Sequence, residues 1–336
     1  MRSTLKYNQK FSELTEEEKK LLEAAKLSIA EYVEHSSAIN DINYATRDAH
    51  AKTYAVVTGK FKVDKNLPYH LDRFFDKEQY DIIVRFSNAH LKIKKYKKDI
   101  PAYGMSVKIK DGDRVIANYP LVNFPLFPLN SVSTFLKLFT SLNKIFLKNY
   151  FKFFSFSLQI LKMLPSLLTV SFIKNVMLFL KKRNDSILSF NYHSVGVYRL
   201  GEHMIKIKLS PKIKDHSKTE TPPQKTIKET LSSSDFVSEV YVQFCYNLKD
   251  QPVNLLNREW KSAPYFKIGE VILQKNSFLN PKEPEIEMLS FNPFDNIESL
   301  KPVGKIQKLR DEAYRVSFKT REKINNLLHG KADVTK

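Results

Sequence analysis

Segments that favour β-strands dominate two parts of the 336-residue chain and constrain its fold more than any other feature. Residues 53–63, 79–88 and 103–120 are rich in β-branched and aromatic side chains, and turn residues such as those at 111–113 interrupt them. The pattern returns at 190–200, 203–211, 237–248 and 265–275, where Gly201-Glu202 predicts a hairpin between the first two segments. We therefore expect a β meander or half of a barrel early in the chain and more strands after its middle.

Helical periodicity marks the two ends and the middle of the chain. Thr15 and Glu18 form a predicted capping box, after which apolar residues recur at helical spacing for about five turns. Residues 132–182 also have a helical pattern. A last helix is predicted over 305–330, with one apolar face formed by Ile306, Leu309, Ala313 and Val316.

Composition excludes several classes of site. The single cysteine, Cys245, excludes a disulfide framework and any four-cysteine zinc or iron–sulfur site within one chain. With only 8 glycines the chain contains no phosphate-cradling loop, which argues against nucleotide chemistry. Residues 214–235 are polar and include Pro222-Pro223, and they predict a long surface loop. The first residues lack an apolar stretch of signal-peptide length, so we expect a cytoplasmic protein.

Positive charge is concentrated in one apolar region. The formal net charge is +19, yet residues 115–184 contain no acidic residue. Basic residues punctuate this aromatic and aliphatic segment at Lys137, Lys144, Lys148, Lys152, Lys162, Lys174, Lys181, Lys182 and Arg183. Nucleic-acid sites are rarely so apolar, so we expect no nucleic acid as a partner. Two alternatives stay open: interfacial helices on an anionic membrane, or helices that pack on the protein itself with lysines in solvent.

Two short segments far apart in the sequence carry the residues best suited to chemistry. RDAHAK at 47–52 offers a histidine between cationic residues, and LRDEAYRVSFKTR at 309–321 offers a tyrosine with arginines four before and seven after it. A histidine acid/base, a phenolate ligand for iron and guanidinium groups for propionates are the needs of a haem site. Spacing alone leaves two ordinary explanations open, namely a core histidine and an Arg/Tyr pair on a surface helix.

An ordered set of segments resembles the haem catalases, and most closely their small catalase-like peroxidase relatives. The resemblance covers about 45–321 and rests on RDAHAK (47–52), VRFSNA (84–89), YGMSVKI (103–109), VIANYPLVNF (115–124), FNYHSVGVYRLG (190–201), LSFNPF (289–294) and KPVGKIQKLRDEAY (301–314). It implies an α+β fold: a catalase-like antiparallel eight-stranded β-barrel with surrounding helices and a buried haem b. The implied domains are an N-terminal helix and arm (1–44), a haem domain (45–330) with a basic apolar helical insertion (131–183), and a tail (331–336).

The resemblance also implies a role for each site residue. The catalytic residues would be His50 as distal acid/base, Ser87 as its hydrogen-bond partner and Asn118 as the distal asparagine. The cofactor residues would be Tyr314 as iron ligand, Arg310 as the support of its phenolate, and Arg47, Arg85 and Arg321 as the arginines that hold the propionates.

The implied activity is decomposition of hydroperoxides through a ferryl intermediate by a haem peroxidase. An organic or lipid hydroperoxide is the favoured substrate, with hydrogen peroxide as another. The alternatives are a true catalase and a non-enzymatic, membrane-associated protein with a catalase-like shell. A homodimer and peripheral contact with an anionic membrane are the further partners considered.

Overall fold

The computed structural model describes residues 2–65, 67–69, 71, 75–90, 92–93, 99–127, 131–146, 170–181, 184–213, 220–280 and 282–333. The strands are β1 Thr53–Val63, β2 Gln79–Asn88, β3 Tyr103–Asp111, β4 Arg114–Val122, β5 Tyr192–His193, β6 Val197–Leu200, β7 His203–Pro211, β8 Phe236–Phe244, β9 Tyr265–Leu279 and β10 Pro302–Val303. The helices are α1 Glu16–Asn40, α2 Val132–Phe146, α3 Val170–Lys181, α4 Pro223–Ser233, α5 Glu283–Met288 and α6 Lys305–Asp333, with 3-10 turns at Gln9–Ser12, Ile187–Ser189, Pro293–Asp295 and Glu298–Leu300.

The strands close into an eight-stranded antiparallel barrel, which confirms the predicted fold. The circuit runs β1–β2–β3–β4–β5–β7–β8–β9 and returns to β1. β6 pairs with the same edge of β7 as β5 does, and β10 pairs with β6. The predicted hairpin is present, because Leu200 of β6 faces His203 of β7. Closure leaves β1 and β9 paired, so the barrel strands protect one another from edge-to-edge association.

Alternation along the strands separates two faces of the barrel wall. Phe61, Val107, Ile207 and Val271 line a cavity of about 30 Å³ and belong to a large apolar core contributed by strands all around the barrel. On β3, Gly104 and Ser106 lie on the other face, because neighbouring residues of a strand point to opposite sides. The pairing Ser87–Gly104–Val122 therefore places one row of residues on the outer face of β2, β3 and β4.

Helix α1 begins as the sequence predicts. The Thr15 hydroxyl accepts a hydrogen bond from the Glu18 amide, and the Glu18 carboxylate accepts one from the Thr15 amide, so the capping box is complete. The helix runs for 25 residues, longer than the predicted five turns. Its apolar residues Leu22 and Ala25 pack against α2 and against the start of α6.

Helix α6 is fastened to the segment that precedes β1. The side chain of Asn325 accepts a hydrogen bond from the Ala45 amide (2.8 Å) and donates one to the Ala45 carbonyl (3.1 Å). The Ser317 hydroxyl donates to buried Asp48 at 2.7 Å. These contacts hold the middle and the C-terminal half of α6 against the 45–50 segment, beside the outer face of the barrel.

One predicted loop is wrong, and part of the basic region is not described. Residues 223–233 form helix α4 rather than loop, with Pro223 in its first turn, where a missing amide proton costs nothing. Ile227 and Leu231 are fully buried and fasten the helix to the barrel. Lys148, Lys152, Lys162, Lys182 and Arg183 lie outside the described residues. Among the described helices, none is both long enough and apolar enough to cross a bilayer.

Candidate haem-type site

His50 occupies a strained position in the loop before β1. Its φ of 54° lies in the left-handed region, which costs a non-glycine residue about 1–3 kcal/mol unless its surroundings hold it there. Arg85 on β2 donates from Nη2 to the His50 carbonyl at 2.6 Å, and the next amide, that of Ala51, donates to the His90 carbonyl at 3.2 Å. The backbone is therefore fixed on both sides of the imidazole.

The His50 ring packs against residues of β2 and β3. Its Nδ1 is 3.1 Å from Ser87 Oγ, at hydrogen-bonding distance, with the donor depending on the tautomer. Gly104 lies directly across the ladder from Ser87, and a Cβ added there would come within 2.7 Å of both His50 Nδ1 and Ser87 Oγ. Only glycine leaves room for the ring. If Nδ1 donates to Ser87, then Nε2 carries the lone pair that accepts a proton.

Electrostatics keep His50 neutral. Burial and the guanidiniums of Arg85, Arg310 and Arg47 lower the pKa of His50 to about 3. Although protein surrounds the ring, His50 as a whole residue stays partly accessible to solvent. A neutral, accessible imidazole is the form that can take a proton from a ligand.

Three arginines form a buried cationic cluster beside His50. Arg85 is 2% exposed and Arg321 is 4% exposed. Burial lowers the pKa of Arg85 well below its usual value, with a further reduction from Arg47. Burial and the same neighbour lower the pKa of Arg321 to about 9. Like charges that are buried together repel one another, and a bound anion offsets that repulsion, so the cluster is suited to binding an anion.

Glu287 is the acidic partner that the cluster shares. Arg47 Nε lies 3.1 Å from Glu287 Oε2, and Arg321 Nε lies 3.9 Å from the same oxygen. Arg321 Nε also donates to the Glu287 carbonyl at 2.6 Å. Buried Asp48 lies nearby, but burial raises the pKa of its carboxyl and so favours its neutral form. Three guanidiniums therefore lie close to the carboxyl group of Glu287, with the side chain of Asp48 beside them.

A second part of the site is the Arg310–Tyr314 turn of α6. The Arg310 guanidinium carbon lies 5.8 Å from the centre of the Tyr314 ring, and its Nη1 donates to Gln307 Oε1 at 3.0 Å. Burial disfavours the charge of Arg310, but the neighbouring Tyr314 and Tyr198 outweigh it and raise the Arg310 pKa. Gln307 in turn donates to the Val197 carbonyl at 3.1 Å, which ties the arginine to strand β6.

These parts of the site lie within electrostatic reach of each other. Arg310 lowers the pKa of His50, and Tyr314 acts on the charge of both Arg85 and Arg321. The structure thus brings together seven of the eight residues singled out from the sequence: His50, Ser87, Arg47, Arg85, Arg310, Tyr314 and Arg321. Asn118 is the eighth.

Asn118 is held by a different set of partners. It lies on β4, four residues before Val122, and its Nδ2 donates to the Asn292 carbonyl at 3.0 Å. Its amide donates to Asn296 Oδ1 at 2.6 Å. Its own Oδ1 is buried and has no hydrogen-bond partner within the described part of the chain. The side chain therefore offers an acceptor, and its role as a distal asparagine stays a prediction.

The donor set and charge of this site fit a haem. A phenol with an arginine beside it and a neutral imidazole belong to one site, and the cluster of three arginines suits the two propionates of haem b. Gly104, Glu287 and Gln307 are parts of the site that sequence reasoning missed. Gly104 lies within the YGMSVKI segment, so its position inside a predicted strand was available from the sequence; Glu287 and Gln307 depend on tertiary packing.

Comparisons with known proteins support the fold. No protein-family model matches the chain, and no curated protein matches it. Among solved structures, the chain is similar to a fungal catalase (TM-score 0.61, 15% identity, 85% of this chain and 61% of that one). It is also similar to catalase A from Saccharomyces cerevisiae (0.59, 16%, 85% and 63%) and to a bacterial catalase (0.61, 15%, 87% and 60%). The catalase-like fold is shared, and the chain spans about three fifths of each catalase's length.

Proposed function

We propose that the protein is a haem-dependent enzyme that decomposes hydroperoxides, of the small catalase-like peroxidase type. One observation carries the proposal: a neutral imidazole held over Gly104 and the Arg310–Tyr314 pair lie within electrostatic reach, beside a buried cluster of three arginines. A general acid/base, a phenolate donor and an anion site together are more specific than any one of them.

In this proposal each residue has a defined task. Tyr314 would hold the iron, with Arg310 stabilising the phenolate, while Arg47, Arg85 and Arg321 would bind the two propionates. Bound haem would supply the redox chemistry that cleaves the O–O bond. His50 would take the hydroperoxide proton on Nε2 and return it to the leaving oxygen, because its neutral form can act first as base and then as acid.

The substrate is the finer part of the proposal. We favour an organic or lipid hydroperoxide over hydrogen peroxide because residues 115–184, apolar and free of acidic side chains, belong to the same chain as the site. Dismutation of hydrogen peroxide by a true catalase uses the same residues, so the two activities are separated by assay. Oxygen release from hydrogen peroxide indicates dismutation, and consumption of cumene hydroperoxide with an added electron donor indicates peroxidase action.

Haem binding can be tested without activity. Apoprotein titrated with haem should develop a Soret band with one equivalent bound, and Tyr314→Phe should weaken or abolish it. Haem dimethyl ester, whose propionates carry no charge, should bind at least about 100-fold more weakly because two charge-assisted contacts to the arginines are lost. Equal affinity for haem and its ester would contradict the proposed role of the arginine cluster.

Measurements of hydroperoxide turnover test the proposed catalytic role of His50. His50→Ala should retain haem and lose hydroperoxide consumption by about 100-fold or more, since positioned acid/base catalysis contributes factors of that order. Normal turnover in this variant would remove His50 from the mechanism. Protein that stays colourless with excess haem would overturn the enzyme assignment as a whole.

A further inference from the structure

Helix α3 presents an apolar stripe to solvent. Ile173, Met177 and Leu180 are 41%, 55% and 57% exposed, and their spacing of four and three residues places them on one side of the helix. Lys174 and Lys181 are exposed on the same helix. Single exposed apolar residues are normal on protein surfaces, but three in a row along one helix face are not covered by any contact within the described part of the chain.

Helix α2 shows that the same region can also pack inward. Val132 and Leu136 are buried against α1, and Phe139 packs on the cluster that includes Ile29. Lys137 of α2 forms an ion pair with Glu17 of α1 at 3.2 Å. For α2, the alternative of a helix that packs on the protein itself is therefore the one observed. Helix α3 differs from α2 because its residues Ile173, Met177 and Leu180 are exposed to solvent.

Charge identifies what could cover the stripe. Helix α3 contains two lysines, Lys174 and Lys181, and no acidic residue, so the charge that it contributes to the surface is positive. A second copy of the same stripe would bring like charges together, which is unfavourable. An anionic bilayer satisfies both features, because apolar side chains enter the acyl boundary while lysines remain at the phosphate level.

We propose that α3 is a docking surface for a membrane that contains anionic lipids. The stripe of Ile173, Met177 and Leu180 would lie in the headgroup region with the helix axis parallel to the membrane plane. Lys174 and Lys181 would contact acidic headgroups. This contact is peripheral and does not require the proposed enzymatic activity.

Vesicle co-sedimentation of the full-length protein tests the proposal. Wild type should bind vesicles of phosphatidylcholine with phosphatidylserine and should not bind phosphatidylcholine alone, and added salt should weaken binding. A charge variant, Lys174→Glu with Lys181→Glu, and an apolar variant, Ile173→Ser with Met177→Ser and Leu180→Ser, should each reduce the partition coefficient by about 10-fold or more.

Matched controls separate docking from general charge and hydrophobicity. Leu27→Ser removes an apolar side chain that is 74% exposed on α1, and Lys10→Glu with Lys62→Glu makes the same change in net charge elsewhere. Both should bind vesicles nearly as wild type does. Equal loss in these controls, or no binding of wild type to anionic vesicles, would overturn the proposal. So would an apolar variant that changes self-association by light scattering yet binds vesicles normally, because a second copy would then cover the stripe.

Discussion

Gly104→Ala is the sharpest test of the His50 geometry, because the added methyl group has no free space. Its Cβ would lie 2.7 Å from His50 Nδ1, 2.7 Å from Ser87 Oγ and 2.8 Å from His50 Cε1, whereas ordinary contacts begin at 3.4 Å. The imidazole would have to move by about 0.7 Å, the difference between those distances. The backbone cannot follow easily, since Arg85 holds the His50 carbonyl at 2.6 Å.

Two effects follow from that displacement. Forced overpacking costs about 1–3 kcal/mol, and a broken hydrogen bond to Ser87 costs about 0.5–1.5 kcal/mol more. A misplacement of about 1 Å in a catalytic group can lower turnover by about 100-fold. We therefore expect kcat/KM for hydroperoxide to fall by about 100-fold in Gly104→Ala, while haem content stays normal because Tyr314 and the arginines are unchanged.

Gly112→Ala is the matched control on the same hairpin. Nothing lies within 4 Å of its added Cβ, but its φ of +58° makes alanine strained by about 1–2 kcal/mol. This variant should lose stability in urea and retain turnover. If Gly104→Ala consumes hydroperoxide within about two-fold of wild type, or if Gly112→Ala loses as much activity, the ring does not depend on Gly104 as argued.

Three further outcomes follow from the site. The pKa of His50 is about 3 in the folded chain and about 6.5 unfolded, so apoprotein stability should fall as pH drops from 6.5 towards 3. At pH 4.5, two units below the unfolded pKa, His50→Gln should recover about 3 kcal/mol of that loss in urea titrations, and no recovery would contradict the buried, neutral ring. Glu287→Gln should destabilise apoprotein by about 3–5 kcal/mol, because it removes the carboxylate that Arg47 and Arg321 share, and should increase the rise in melting temperature on haem addition. Unchanged stability of the apoprotein would contradict the proposed role of Glu287 in the arginine cluster. Ser87→Ala should keep haem and lower turnover by about 10-fold through loss of the preferred tautomer, and wild-type turnover would show that the 3.1 Å contact does not orient the ring.

Much of the fold could be predicted because its signals are local. The β1 and β2 segments are rich in β-branched and aromatic side chains, and the structure has strands at the same residues, Thr53–Val63 and Gln79–Asn88. Thr15 and Glu18 specify a helix start through side chains only three residues apart. The composition of the site could not be predicted from local signals alone, because spacing within 309–321 indicates one helix face but not which distant residues lie near it. Only the order of several segments, through their resemblance to a family, placed His50 and Tyr314 at one site.

The features that sequence reasoning missed depend on competing or distant interactions. Pro222-Pro223 indicated a loop, but a proline in the first helical turn is compatible with a helix, and Ile227 and Leu231 four residues apart were the signal for α4. Glu287 carries no local signal at all. It becomes part of the site because Arg47 and Arg321, which are 274 positions apart, meet it from two sides.

Charge links the folding of this chain to its proposed ligand. The two parts of the site come from opposite ends of the sequence and are joined at 45–48 by Asn325 and Ser317, so their arrangement is fixed by packing rather than by the ligand. The same joint brings three guanidiniums close together, and burial with their mutual repulsion lowers the pKa of Arg85 and of Arg321. Two carboxylates entering the cluster would relieve that repulsion and raise the pKa of His50, since Arg85, Arg310 and Arg47 contribute to its low value. Ligand binding would thus stabilise the fold and make His50 a stronger base in one step.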